Sequence, residues 1–120
     1  MRRKYTSPPL TPNHSVQMEL RVKATWKGQL LAESNETIVI ENNHYFPPAS
    51  INKSFFIKSD TTSICPWKGM ASYFTIIVNN QENKDAAWYY PAPKAAAAEI
   101  KDYVAFWQGV KITGYPYNAV

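Results

Sequence analysis

Ser72-Tyr73-Phe74-Thr75-Ile76-Ile77-Val78-Asn79-Asn80-Gln81-Glu82 is the stretch on which the fold class turns. Ser72 to Val78 is the longest run of β-branched and aromatic residues in the chain, and such side chains pack well on a pleated surface. Asn79-Asn80-Gln81-Glu82 has the chemistry of a hairpin loop, because asparagine tolerates positive φ. Ala86 to Tyr90 then returns beside the first strand, which brings Trp88 and Tyr90 near Tyr73 or Phe74. The core of the fold is thus read as an antiparallel hairpin.

Upstream of this hairpin, Cys65-Pro66-Trp67-Lys68-Gly69 forms a stiff, directed turn, since proline fixes φ and glycine permits positive φ. Phe55-Phe56-Ile57 reads as a short strand, and Asp60-Thr61-Thr62 as a turn that delivers the chain to Cys65. Further back, Leu20, Val22, Ala24 and Trp26 alternate with Glu19, Arg21, Lys23 and Thr25, the pattern of a half-buried strand. Lys27-Gly28 turns it into Gln29 to Glu33, and Thr37 to Glu41 makes another strand. Asn42-Asn43 turns into His44-Tyr45-Phe46, which Pro47-Pro48 must end.

Downstream, Pro91 and Pro93 stop the return strand. Lys94 to about Asp102, with four alanines, is expected to be a helix. Val104 to Trp107 and Val110 to Ile112 close the chain as a last hairpin around Gln108-Gly109. Strands dominate and do not alternate with helices, so the expectation is a mainly β, single small antiparallel barrel-, sandwich- or tent-like domain with one short α-helix near the C-terminus. Its body spans 16–113, between a flexible, basic, proline-rich arm at 1–15 and a tail at 114–120.

The formal charge of +4 is concentrated in Arg2, Arg3 and Lys4; without them ten basic residues face nine acidic ones, a net of +1. A nearly neutral body argues against nucleic acid as a partner beyond a weak contact of the arm. No apolar run approaches the roughly 18 residues of a membrane span, and the N-terminus lacks the apolar stretch of a secretory signal. A single cysteine allows no internal disulfide. A soluble, cytoplasmic protein with no membrane partner, monomer or homodimer, is expected.

Several chemistries are missing. Cys65, His14 and His44 cannot supply the four thiolate or imidazole ligands of a structural zinc, and no metal or other cofactor is expected. The four glycines form no phosphate-binding loop, and no serine-hydrolase elbow occurs. Three features remain, each with two readings. Cys65 and Lys68 stand three apart, so the ammonium can favour a reactive thiolate; the alternative is a small buried thiol with Lys68 in water. His44 is either a base or an exposed turn residue. Tyr45, Trp67, Tyr73, Trp88 and Tyr90 describe either an aromatic ligand pocket or a β core.

The ordered set Cys65-Pro66-Trp67-Lys68-Gly69, Ala71-Ser72-Tyr73, Asp85-Ala86-Ala87-Trp88 with Tyr90-Pro91 and Pro93, and Val104-Ala105-Phe106-Trp107 resembles the domain-of-unknown-function family DUF427. Tyr45-Phe46-Pro47 matches the family's tyrosine-proline step, and the resemblance covers about Leu20 to Ile112. It implies a small, mostly β domain with no established activity. A nucleotidyltransferase label sometimes goes with the family, yet this chain lacks the paired acids of two-metal phosphoryl transfer. The matching positions Tyr45, Cys65, Lys68, Tyr73, Asp85, Trp88 and Tyr90 are, by resemblance, a candidate cleft; Trp67 departs from the family's more frequent phenylalanine or tyrosine.

The resulting expectation is a module that binds a small polar or planar organic ligand against Tyr73, Trp88 and Tyr90, with Lys68 and Asp85 orienting it. An enzyme using Cys65 as nucleophile or redox thiol with Lys68 is the second reading, and a protein-interaction module the third.

Overall fold

The computed structural model describes residues 21–114. The expected arm at 1–15 and most of the tail lie outside them. Among the described residues nine strands fall in three antiparallel sheets. β1 (Val22–Trp26) lies between β2 (Gln29–Ser34) and β9 (Lys111–Thr113). β3 (Ile38–Ile40) pairs with β4 (Asn43–Tyr45), and β5 (Phe56–Cys65), β6 (Gly69–Val78), β7 (Gln81–Tyr89) and β8 (Val104–Phe106) follow one another in the largest sheet.

Local chemistry explains the hairpins. Lys27-Gly28, Glu41-Asn42 and Asn79-Asn80 all take positive φ at both central positions, which is the two-residue turn whose twist matches paired strands. In the β6–β7 hairpin Tyr73 lies opposite Trp88 and Ser72 opposite Tyr89.

Period-two alternation sends the side chains of the large sheet to two cores. Phe74, Ile76 and Val78 of β6, Ala87 of β7, and Val104 and Phe106 of β8 face Val22, Ala24, Leu31 and Ala32 of the first sheet. Ala71, Tyr73, Trp88, Tyr90 and Ala105 face the other way, against Tyr45 and the turn that carries Ala97 and Ile100. The β3–β4 hairpin is fastened to the large sheet by Phe46, whose N–H donates to Val104 O at 2.8 Å and whose carbonyl accepts from Val104 N at 2.9 Å. Phe46 itself is fully buried, edge-on to Phe106 at 5.5 Å.

Three local expectations are corrected. The alanine-rich segment is no α-helix but a tighter 3-10 stretch, Ala95–Ile100, broken by Ala97 at φ −122°. So short a helix gains little from propensity alone. Ala97 and Ile100, three apart, are the buried pair, and three residues per turn stacks i over i+3. Asp60-Thr61-Thr62 does not end a strand: β5 runs through it with a bulge between Lys58 and Thr62. The last hairpin does not form either, because β8 pairs with β7 whereas β9 crosses to β1. Among the described residues no helix is long and apolar enough to cross a membrane.

Candidate functional site

The face of the β6–β7 hairpin that looks away from the first sheet is only partly covered. Between it and the β3–β4 hairpin lies an open cleft of about 190 Å³, lined by Glu41, Asn43, Tyr45, Lys68, Tyr73, Trp88, Tyr90 and Trp107. Register builds its aromatic wall. Tyr73 and Trp88 are cross-strand partners on one face, and Trp88 pairs with Ala105 of β8 on the other side. Trp107 follows β8 and meets Trp88 edge-on, with centroids 5.9 Å apart. The Trp107 indole N–H donates to the carbonyl of Asp85 at 2.6 Å.

The floor is more deeply buried. Tyr45 is only 1% exposed and stands perpendicular to Trp88 at 6.2 Å; its hydroxyl accepts from Trp88 Nε1 at 3.2 Å. Burial pushes the Tyr45 hydroxyl's pKa up, and it pushes that of Tyr90 up to about 12. Both therefore remain protonated at neutral pH and can donate hydrogen bonds. Tyr73 shares a 2.8 Å hydrogen bond with Ser63 across the β5–β6 pair.

One charged pair marks the rim. Lys68, on the turn between β5 and β6, is just 4% exposed, and its ammonium donates to Glu41 on the β3–β4 turn. It also stands 5.0 Å from the centroid of Trp67 and 5.8 Å from that of Tyr90, within cation–π range. Burial alone would pull the Lys68 pKa down, but the Glu41 hydrogen bond and the neighbouring Tyr45 and Tyr90 outweigh it, and the net shift is upward. Glu41 is held below the usual carboxylate range by Lys68 first and by Trp67, whose indole reaches it at 3.4 Å.

The turn that carries Lys68 is clamped from outside. Lys94 N donates to the Lys68 carbonyl at 2.9 Å, and Lys94 Nζ to that of Pro66 at 2.6 Å. Gly69 closes the turn at φ +112°, where an L side chain is strained even though a Cβ would meet the Ala92–Lys94 backbone at ordinary contact distance.

The structure therefore brings Tyr45, Lys68, Tyr73, Trp88 and Tyr90 to one cleft, with Trp67 beside its rim. Cys65 does not line it; the half-buried thiol packs at the edge of the Tyr45–Tyr90 cluster. Asp85 does not line it either. It occupies a bulge of β7 at φ +55°, where its carboxylate accepts from Thr61 at 2.8 Å and its N–H donates to Thr75 at 3.2 Å. Ser59 and Thr61 of the β5 bulge hold its carboxyl below the usual range. Its carboxylate ties two bulges together through Oδ2, Oδ1 is buried without a hydrogen-bond partner among the described residues, and its carbonyl meets the cleft residue Trp107. His44 is a half-buried residue of β4 with Nδ1 2.8 Å from the Thr37 hydroxyl, not an exposed turn residue.

Glu41, Asn43 and Trp107 line the cleft without having been singled out in the sequence. Glu41 gave no signal: residue order ends a strand on it and puts the turn at Asn42-Asn43, whereas the two turn residues are Glu41 and Asn42 and Asn43 already belongs to β4. Among the described residues no three His, Cys, Asp or Glu side chains cluster as a metal ion would require.

Comparison with known proteins agrees with the motif resemblance. The model of a domain of unknown function, DUF427, matches residues 14–115. No curated protein matches the chain.

Proposed function

The chain belongs to the DUF427 family, and from that premise we propose that it is a binding module for a small, planar, polar organic molecule. The observation that supports this reading is one open cleft in which Tyr45, Tyr73, Trp88, Tyr90 and Trp107 meet a buried ammonium. Apolar walls with a few fixed polar groups are the general composition of small-molecule sites. Size restricts the ligand: an apolar cavity of ~150 Å³ takes benzene, and this cleft offers about 190 Å³. A single ring with one or two polar substituents matches that volume.

The wall supplies edges and faces of aromatic rings for stacking, and Lys68, Tyr45 and Tyr90 supply donors for orientation. The test is a thermal-shift and calorimetric panel of nucleobases, nucleotides, amides and organic acids on the full chain and on Trp88→Ala. At least one class should stabilise the wild type and not the variant. If no compound gives a response that Trp88→Ala removes, the proposal fails.

A further inference from the structure

The ion pair at the rim is unevenly buried, and that asymmetry restricts the charge of the ligand. Lys68 has 6% of its side chain exposed and Glu41 has 55%. A buried ammonium needs an anionic partner, because desolvation without one is unfavourable. The carboxylate, in contrast, can swing into water from its two-residue turn at little cost. Among the described residues it is held there by Lys68 and by a long 3.4 Å contact from Trp67.

We infer that Glu41 is a resident counter-ion that a ligand's own carboxylate displaces, so that the cleft takes small planar carboxylates. The inference rests on the proposed binding role of the cleft. With Glu41 rotated out, Lys68 faces the cleft as a free donor, joined by the hydroxyls of Tyr45 and Tyr90. The Tyr45 oxygen already accepts from Trp88, which leaves its proton to give. Donors therefore outnumber acceptors, and a carboxylate provides two acceptor oxygens with the charge that Lys68 requires. A cationic ligand is disfavoured by the same geometry. Lys68 is enclosed by Trp67 and Tyr90 and cannot leave, so a second cation would meet its charge at close range. The ring of an aromatic acid fits the slot beside Tyr73 and Trp88, whose partner Trp107 closes one side.

Three isosteric probes separate the possibilities: benzoate, neutral benzamide and cationic benzamidinium. Each is titrated at neutral pH into the full chain as wild type, Glu41→Gln, Lys68→Met and Trp88→Ala, by calorimetry. Benzoate should bind the wild type most tightly. Removing the competing carboxylate in Glu41→Gln should tighten benzoate roughly tenfold, the factor carried by one charge-assisted contact, and leave benzamide unchanged. Lys68→Met should abolish the preference for benzoate; if that variant does not fold, the wild-type and Glu41→Gln comparison still decides. Benzamide or benzamidinium binding as tightly as benzoate, in a manner lost in Trp88→Ala, overturns the carboxylate inference while leaving a binding cleft. Absence of Trp88-dependent binding of all three overturns the carboxylate inference, and the binding reading falls with it when the wider panel of nucleobases, nucleotides, amides and organic acids is silent too.

Discussion

Replacing Tyr45 by phenylalanine removes one oxygen from the floor of the cleft and little else. The ring is 1% exposed and stays buried, so the hydrophobic contribution is unchanged. What is lost is the acceptor of the Trp88 indole N–H, now 3.2 Å away. A hydrogen bond of this kind contributes about 1 kcal/mol net, and a buried donor left without a partner costs about 1–3 kcal/mol. Trp88 is half-buried, so water can reach part of the ring, and the hydroxyl's own desolvation is relieved. The balance is a loss of about 1–1.5 kcal/mol, which for a domain of this size lowers Tm by about 5–9 °C. Urea unfolding followed by tryptophan fluorescence and by circular dichroism measures it. Hydrogen exchange of the Trp88 indole proton gives an independent reading and should accelerate in the variant. A Tyr45→Phe protein as stable as wild type, with an equally protected indole proton, would refute the idea that this bond holds the cleft wall to its floor.

Other perturbations have equally definite outcomes. Phe46→Ala removes the fully buried ring behind the bridge to Val104 and should cost about 3–5 kcal/mol in chemical unfolding, whereas Trp67→Ala at the rim should cost under about 1 kcal/mol. Tyr90 has a folded pKa raised to about 12, so its contribution is fully present below the ordinary tyrosine pKa of 10.0 and is lost as pH climbs toward about 12. The difference in urea midpoint between wild type and Tyr90→Phe should accordingly shrink over that window. Asp85 is shifted the other way: its stabilisation is present above the ordinary carboxylate pKa and is lost as pH falls through the depressed folded value. Asp85→Asn, which keeps a residue tolerant of positive φ, should cost about 1 kcal/mol at neutral pH and flatten the acid limb of stability against pH. Gly69→Ala puts an L residue at a φ of +112° and should cost about 1–3 kcal/mol in the same unfolding assay through backbone strain alone.

Much of this architecture can be read from residue order because its determinants are local. The turns at Lys27-Gly28 and Asn79-Asn80 are written in residues that accept positive φ, and alternation from Val22 to Trp26 marks a strand with one face buried. Three elements escape such reading for physical reasons. The Ala95–Ile100 segment has the propensity of an α-helix, but burying Ala97 and Ile100 together selects three residues per turn. Asp60, Thr61 and Thr62 carry turn chemistry that the strand absorbs around a bulge, because Asp85 from two strands away ties Thr61 in place. β9 pairs with β1, nearly the whole chain away, and no neighbouring residue encodes that choice.

The site divides along the same line. Tyr73 and Trp88 face the cleft together because a hairpin of known parity puts them there. Asp85 stands just before Trp88 on the same strand, yet the bulge at φ +55° turns its carboxylate to β5. Glu41 meets Lys68 from 27 residues away, through a tertiary contact between two turns that neither turn's sequence announces.

The four tryptophans make the binding claim directly measurable, since Trp88 and Trp107 line the cleft and Trp26 packs against the opposite core. In a proton–nitrogen correlation spectrum of the full chain, small planar acids and amides are titrated while the four indole signals are followed. A ligand site in the cleft predicts saturable movement of the Trp88 and Trp107 signals with that of Trp26 unmoved. Signals that stay fixed across the whole panel, or a Trp26 signal that moves as far as that of Trp88, would contradict it.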